Sequence, residues 1–156
     1  MHYTIKNMNV LTASARRSFS STYAEFIKAG NCYSMGCSDA CVFHAMRGLE
    51  QPIRALAREL RVKLSKHPDL ATWGELLNAM DSKLKVMSNA KHTKKRDEKL
   101  RFYSEARIEF ACFKDAWRNF VMHGREFYDA DGACGILDHV RAFVERLVQD
   151  GLKERA

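Results

Sequence analysis

Apolar residues recur three and four positions apart along almost the whole chain, the spacing that places side chains on one face of a helix. No run alternates apolar and polar residues as a half-buried strand does, and no Asn-Gly hairpin turn is present. The pattern therefore predicts an all-α fold, an antiparallel bundle of four to five helices. With 156 residues and no internal repeat, the chain is expected to form a single domain.

The first two predicted helices occupy the N-terminal part of the chain. Helix one runs from about Ala13 to Ala29, and the pair Gly30-Asn31 supplies its stop. Helix two begins near Ser38 and contains Pro52, which should bend it by removing one backbone hydrogen bond. Because the residue four positions before that proline is Gly48, which leaves room for adjustment, we expect one bent helix rather than two.

Three further predicted helices complete the bundle. Thr72 and Glu75 form a capping-box pattern at the start of helix three. Helix four runs from about Asp97 to His123, and helix five runs from about Ala130 to Asp150 with Asp129 as its N-cap. The residues expected to face the core are Leu76, Leu77, Met80, Leu84 and Met87 in helix three, Leu100, Tyr103, Ala106, Phe110, Phe113, Trp117 and Val121 in helix four, and Ile136, Leu137, Val140, Phe143, Val144 and Leu147 in helix five.

Composition narrows the class of protein. The N-terminal segment has no secretory signal, and no apolar run approaches the roughly 18 residues of a membrane span, so we expect a cytoplasmic protein with no membrane partner. Five cysteines without an export signal indicate free thiols. Since no CxxC pair is present, we predict no metal and no cofactor. The residues of metal-ligand type that do cluster are Cys32, Cys37, Cys41 and His44.

The positive charge of the chain is concentrated in one segment. The formal net charge is +7, and eight cations lie between Lys83 and Arg101 against Asp97 and Glu98. The sequence predicts a basic loop at about residues 88–97 within this segment. A mobile basic loop attracts polyanions through its long-range field and through counterion release. The alternative is a solvated loop that only keeps the protein soluble.

The sequence WRNFVMHG places three chemically capable residues near the end of helix four. Arg118 can hold a phosphate, and His123 can move a proton near neutral pH. Asn119 and His123 are four residues apart and share a helix face, so the amide can orient the imidazole. The bare spacing arises readily by chance, and Arg61 with His67 is a second instance. The residues alone leave open that Arg118 and His123 only cap the end of a helix.

Helix two carries acidic and basic residues at helical spacing. Arg47 with Glu50 and Glu50 with Arg54 are suitable intrahelical ion pairs, which fits a solvated, salt-bridged face. The alternative hypothesis is that Glu50 faces the same cleft as Arg118 and orients its guanidinium. A buried Glu50 carboxylate within salt-bridge distance of Arg118 would support this hypothesis, and an exposed Glu50 pointing away from helix four would exclude it.

The C-terminal sequence WRNFVMHGREFYDADGACGILDHVRAFVERL resembles the last two helices of HEPN-domain proteins. In that family Arg, a polar residue, a few variable residues and His precede a turn and an amphipathic final helix. The sequences CVFHAMRGLEQPIRALAREL and WGELLNAM resemble helices of a bacterial HEPN-like group. The resemblance extends from about Ser38 to Leu147 and is most specific in the last two helices.

The resemblance implies a helical homodimer in which Arg118 and His123 of both subunits meet at one cleft. It implies a metal-independent endoribonuclease, a toxin or phage-defence effector, in which Arg118 holds the scissile phosphate and His123 acts as general acid or base. Asn119 would position one of these groups, and Glu50 and Arg47 would support them. The residues of the basic loop assigned to RNA binding are Lys91, Lys94, Lys95 and Arg96.

Two other functions remain compatible with the sequence. The first is a catalytically inactive HEPN module that binds RNA, a nucleotide, or a nucleotidyltransferase or antitoxin partner. The second is a helical scaffold whose dimer interface is its only function.

Overall fold

A computed structural model describes residues 11–124 and 127–154. The N-terminal segment that bears on a secretory signal lies largely outside this range. Every regular element in the described part is helical, as the spacing predicts, and none of its helices is long and apolar enough to cross a bilayer. The α-helices are α1 (Ala13–Ser18), α2 (Ser20–Ser34), α3 (Ser38–Arg47), α4 (Glu50–Glu59), α5 (Trp73–Ser88), α6 (Lys94–Phe113), α7 (Asn119–Met122) and α8 (Ala130–Gln149). A 3₁₀ turn, Pro68–Leu70, precedes α5, and a π-helical turn, Lys114–Arg118, joins α6 directly to α7.

The N-terminal helical segment is divided at Phe19 and extends beyond its predicted end. Phe19 is fully buried between α1 and α2. α2 continues through Gly30, which is buried inside the helix. α2 stops at Ser34, and Gly36 just beyond it turns the chain with a φ of 75°. The N–H of Cys37 donates to the carbonyl of Cys32 at 2.9 Å. This is a Schellman motif, so the predicted stop at Gly30-Asn31 is wrong.

Residues 38–60 form two helices rather than the predicted single bent helix. Pro52 has no N–H, so the carbonyl of Gly48, four residues earlier, loses its usual helical partner. The hydroxyl of Thr22 donates to that carbonyl at 2.7 Å, and Thr22 is buried. Pro52 then lies in the first turn of α4, where backbone N–H groups have no helical acceptor in any case. The Gly48 carbonyl at the break between α3 and α4 therefore receives its hydrogen bond from α2.

The third and fifth predicted helices are confirmed together with their N-caps. The hydroxyl of Thr72 accepts from the N–H of Glu75 at 3.2 Å, and the Glu75 carboxylate accepts from the N–H of Thr72 at 2.7 Å. Asp129 accepts from the N–H of Gly132 at 2.7 Å. The predicted face of α8 is buried as a whole, through Ile136, Leu137, Val140, Phe143, Val144 and Leu147. Local capping and periodicity were sufficient for these two elements.

The core-facing stripe of α6 ends earlier than its periodicity predicts. The fully buried ring of Phe110 contacts Trp73 and Phe143, at centroid distances of 5.8 and 4.8 Å. Beyond Phe113 the stripe is interrupted by the π turn. Of the residues predicted for the core, those of helix four that are only partly buried are Leu100, Trp117 and Val121. In α5 the same holds for Leu84 and Met87.

The basic segment is mostly helical, which corrects the predicted loop at about residues 88–97. α5 continues to Ser88, and the hydroxyl of Thr93 caps α6 by accepting from the N–H of Arg96 at 3.3 Å. Only residues 89–93 connect the two helices. Lys94, Lys95 and Arg96 are therefore in the first turn of α6, whereas Lys91 lies in the connection between the helices.

Candidate functional site

Glu50, the first residue of α4, binds side chains from three elements. Its Oε2 accepts from Nη1 of Arg54, one turn further along α4, at 2.5 Å. Its Oε1 accepts from Nε1 of Trp73 at 2.9 Å and from Nη2 of Arg118 at 3.3 Å. The Glu50 and Arg118 side chains are 28% and 26% exposed. The contact hypothesised between Glu50 and Arg118 is therefore present, while its role in catalysis stays a prediction.

Trp73 is the site residue that sequence reasoning missed. It is 2% exposed, and the guanidinium carbon of Arg118 lies 5.0 Å from its ring centroid, within cation–π distance. Its indole N–H also needs an acceptor when the ring is buried, and Glu50 supplies one. The signal that could have identified it is the tryptophan itself, whose N–H needs an acceptor when the ring is buried. Together Trp73 and Glu50 fix both the plane and one edge of the Arg118 guanidinium.

The π turn Lys114–Arg118 explains how Arg118 reaches this position. Arg118 is five residues beyond the fully buried Phe113, so in a regular helix its side chain would leave the axis about 140° away from it. A π turn bonds residues five apart and takes up about one extra residue, which turns Arg118 toward the buried face. Single π turns within α-helices are frequent at functional sites.

Arg118 retains hydrogen-bonding capacity despite its contact with Glu50. Its Nε is buried and has no hydrogen-bond partner within residues 11–124 and 127–154. An unsatisfied buried donor costs about 1–3 kcal/mol. The guanidinium is thus positioned by the protein without being fully satisfied by it.

His123 lies at the end of α7 and is exposed. Its backbone N–H donates to the carbonyl of Asn119 at 3.3 Å, so the two residues are one helical turn apart as predicted. Within the described chain no hydrogen bond or ion pair engages the His123 imidazole, and none joins it to Arg118. Five positions along an ideal helix correspond to about 140° of rotation, so the spacing alone does not bring the two side chains together. Beyond the turn, the N–H of Tyr128 donates to Asp39 of α3 at 2.7 Å.

Arg47 was expected to pair with Glu50 but pairs with Glu25 of α2. The distance from Arg47 Nε to Glu25 Oε2 is 3.5 Å. The break between α3 and α4 places Arg47 and Glu50 on different helices, which removes their intrahelical spacing. Both carboxylates nevertheless line one cavity of about 150 Å³ to which Arg47 also contributes. Arg47 is thus beside the site without contacting Glu50.

Glu25 forms a second cluster of charge. His44 Nδ1 lies 2.7 Å from its Oε2, and Lys28 Nζ lies 2.9 Å from its Oε1. Burial acts to raise the pKa of Glu25, but the hydrogen bonds from His44 and Lys28 and the charge of Arg47 lower it below its usual value. Glu25 therefore stays ionised and ties α2 to α3.

The cysteines near His44 do not assemble into a ligand set. Cys41 is buried, and that burial raises the pKa of its thiol to about 12. Cys37 is exposed, and His44 is bonded to Glu25. In the described ranges no group of three or more His, Cys, Asp or Glu residues is placed to hold a metal ion. All five cysteines are free thiols, as predicted.

The four residues assigned to RNA binding divide into two groups. Arg96 folds back onto the chain, where it donates to the carbonyl of Ala90 and to Oδ1 of Asp97, the latter at 2.9 Å. Its side chain is only 16% exposed, so it stabilises the start of α6. The three residues that present exposed ammonium groups are Lys91, Lys94 and Lys95.

Comparison of the chain with family models, curated proteins and solved structures found no match. The HEPN resemblance therefore stays a prediction that rests on the residues themselves.

Proposed function

We propose that the chain is a metal-independent endoribonuclease of the HEPN type, active as a homodimer. One observation carries this proposal: Arg118 is held against Glu50 and Trp73, and His123, on the same helix end, is exposed with its imidazole unengaged within the described chain. An oriented phosphate-binding group and an available proton carrier are the two requirements for metal-independent RNA cleavage.

In the proposed reaction His123 removes the proton from a ribose 2′-hydroxyl. The 2′-oxygen attacks the adjacent phosphorus, and the bond from phosphorus to the 5′-oxygen breaks. Arg118 binds the non-bridging phosphate oxygens, where negative charge increases in the transition state. A second histidine protonates the departing 5′-oxygen, so the products carry a cyclic phosphate and a 5′-hydroxyl. The reaction requires RNA because DNA has no 2′-hydroxyl.

The separation of Arg118 from His123 within one chain supports a shared site. Arg118 precedes α7 and His123 follows it, without a hydrogen bond between their side chains in the described chain, and a second copy can bring an imidazole to the phosphate that Arg118 binds. A two-fold dimer would also supply the second histidine that the proposed reaction needs.

A non-catalytic RNA-binding module is the second candidate function. The ion pair between Glu50 and Arg118 favours it, because a carboxylate already neutralises part of the guanidinium charge. This candidate predicts RNA affinity without cleavage.

Cleavage of a 5′-labelled RNA in EDTA by purified protein tests the proposal. We expect His123→Ala to slow cleavage at least about 100-fold, the usual contribution of a general acid or base. His67→Ala is the matched control, because His67 is also exposed and also follows an arginine within a few residues. A 2′-deoxy sugar at the cleaved position should block the reaction. Intact RNA affinity without cleavage by the wild type would contradict the proposal and favour the binding module.

Mixing two inactive variants tests the composite site. Arg118→Ala and His123→Ala proteins should each be inactive. Their heterodimer contains one Arg118 and one His123 in different subunits and lacks only the second histidine, which water can replace as acid, so we expect partial recovery. Recovered cleavage in the mixture supports a site shared by two chains. A monomer at the assay concentration, or no recovery from a demonstrated heterodimer, would contradict it.

A further inference from the structure

Three helices other than α4 end in a left-handed glycine, whereas α4 ends in a left-handed arginine. Gly36 follows α2 with φ 75°, Gly124 follows α7 with φ 57°, Gly151 follows α8 with φ 88°, and Arg61 follows α4 with φ 51°. The N–H of Val62 donates to the carbonyl of Ala57 at 3.1 Å, which closes the same Schellman motif at Arg61. Within the described residues Arg61 is the one non-glycine with positive φ. A side chain makes this conformation unfavourable, so the backbone at this position would suit glycine better than Arg61.

The Arg61 side chain lines a groove between the end of α4 and the second half of α5. The groove has a volume of about 340 Å³. Its α5 residues are spaced three and four positions apart and so form one continuous face of that helix. The lining residues are Arg61, Lys63, Ala79, Ser82, Lys83 and Val86.

The groove has three cations and no carboxylate. Within the described chain no acidic side chain forms an ion pair with Arg61, Lys63 or Lys83. In contrast Arg54, whose side chain is only 11% exposed, is paired with Glu50. Cations gathered on one surface without counter-charges repel one another and attract an external anion. Val86 adds an apolar surface to the same groove, with 65% of the residue exposed. The groove therefore offers positive charge for phosphate groups.

We propose that this groove binds the phosphodiester backbone of the RNA, with Arg61, Lys63 and Lys83 contacting phosphate oxygens. The choice of RNA as ligand rests on the proposed function, although the groove takes no part in the chemistry. α5 connects the two places: Trp73 at its start lies beneath Arg118, and Ala79 in the groove is about 9 Å further along the axis at 1.5 Å per residue. Around the axis Ala79 lies about 120° from Trp73, so an RNA that contacts both places has to curve around α5. The groove also differs from the predicted basic loop, since Arg61 and Lys63 come from a separate part of the chain.

Binding of a labelled 12-nucleotide single-stranded RNA, measured by fluorescence anisotropy over a range of salt concentrations, tests the proposal. The full chain carries His123→Ala as a background so that the RNA stays intact. We expect Arg61→Gly to weaken binding several-fold and to reduce the salt slope by about 0.7, the value for one lost phosphate contact on a single strand. The same substitution should raise the midpoint of thermal unfolding, because glycine fits the left-handed position. A gain in stability with a loss of affinity separates lost contacts from unfolding.

A second variant and a matched control complete the test. Lys63→Gln combined with Lys83→Gln should weaken binding further and leave the thermal midpoint unchanged. Arg17→Gln removes one exposed cation from α1, which packs on α2 and α8, and should not alter affinity. Unchanged affinity in the groove variants, an equal loss in Arg17→Gln, or binding to anionic phospholipid vesicles in place of RNA would overturn the proposal. Failure of the proposed function looks different: the groove variants would lose affinity while the wild type cleaves nothing.

Discussion

Glu50 and Glu25 each bind three side chains, yet the two clusters join different parts of the molecule. Glu50 connects α4 to Trp73 of α5 and to Arg118, which is 68 residues away in the chain. Glu25 connects α2 to α3, which are consecutive, through Lys28, His44 and Arg47. The first cluster therefore exists only when the whole bundle has formed. A carboxylate positions a functional group when tertiary packing, above all a buried aromatic ring, fixes the other side of that group.

The largest expected effect comes from removing the ring beneath Arg118. Trp73→Ala should lower the free energy of unfolding by about 3–5 kcal/mol, because it removes a core ring that also contacts Phe110. Trp73→Phe keeps an aromatic ring but loses the N–H donor to Glu50, and should cost about 1–2 kcal/mol. Urea unfolding followed by circular dichroism measures both. If Trp73→Ala were as mild as Trp73→Phe, the tryptophan would not be the anchor of the Glu50 cluster.

An intermediate effect is expected from neutralising Glu50. Glu50→Gln leaves Arg54 and Arg118 close together without a counter-charge and should cost about 1–3 kcal/mol in unfolding free energy. RNA cleavage should fall mainly through kcat, since Arg118 loses its orientation. Glu98→Gln, on the exposed side of α6, is the control and should change neither quantity. Additive effects of Glu50→Gln and Arg118→Gln in a double-mutant cycle would argue against a working contact between them.

The smallest expected effect is that of Glu25, and it depends on pH. The pKa of Glu25 in the folded protein lies below its ordinary value of 4.5, so its stabilisation is present above about pH 4.5 and is lost as pH falls through the folded value. Glu25→Gln should therefore cost about 1 kcal/mol at pH 7 and less at acid pH. Urea midpoints of the wild type and Glu25→Gln between pH 7 and pH 3.5 measure this. A difference that stays constant over that range would mean that the lowered pKa of Glu25 does not contribute to stability.

The parts of the fold that the sequence could predict are those decided by neighbouring residues. The helical class, the capping box of Thr72 with Glu75 and the buried face of α8 all depend on contacts within a few positions. The end of α2 was not predictable in this way, because Gly30 and Gly36 are both plausible stops and only packing decides between them. The break after α3 depends on Thr22, which is 26 residues from Gly48.

The candidate site shows the same division. Arg118, Asn119 and His123 could be selected from their spacing, and Glu50 from its place among the polar residues of helix two. The contribution of Trp73 could not be selected, because its N–H and its ring meet two partners that only tertiary structure brings together. The groove around Arg61 was also missed, since a left-handed arginine is a property of the backbone and not of composition.

The π turn affects which single-residue deletions the protein can tolerate. Removing one residue between 114 and 117 would let the turn return to regular α-helix, in which Arg118 would follow Phe113 by four positions and lie about 40° around the axis from it. Both parts of the helix would keep their alignment, because the turn already takes up the removed residue. A single-residue deletion here should therefore be tolerated better than one in a regular part of the helix, where it would rotate everything beyond it by about 100°. The surplus residue lets the core and the site each keep their own alignment on one continuous helix.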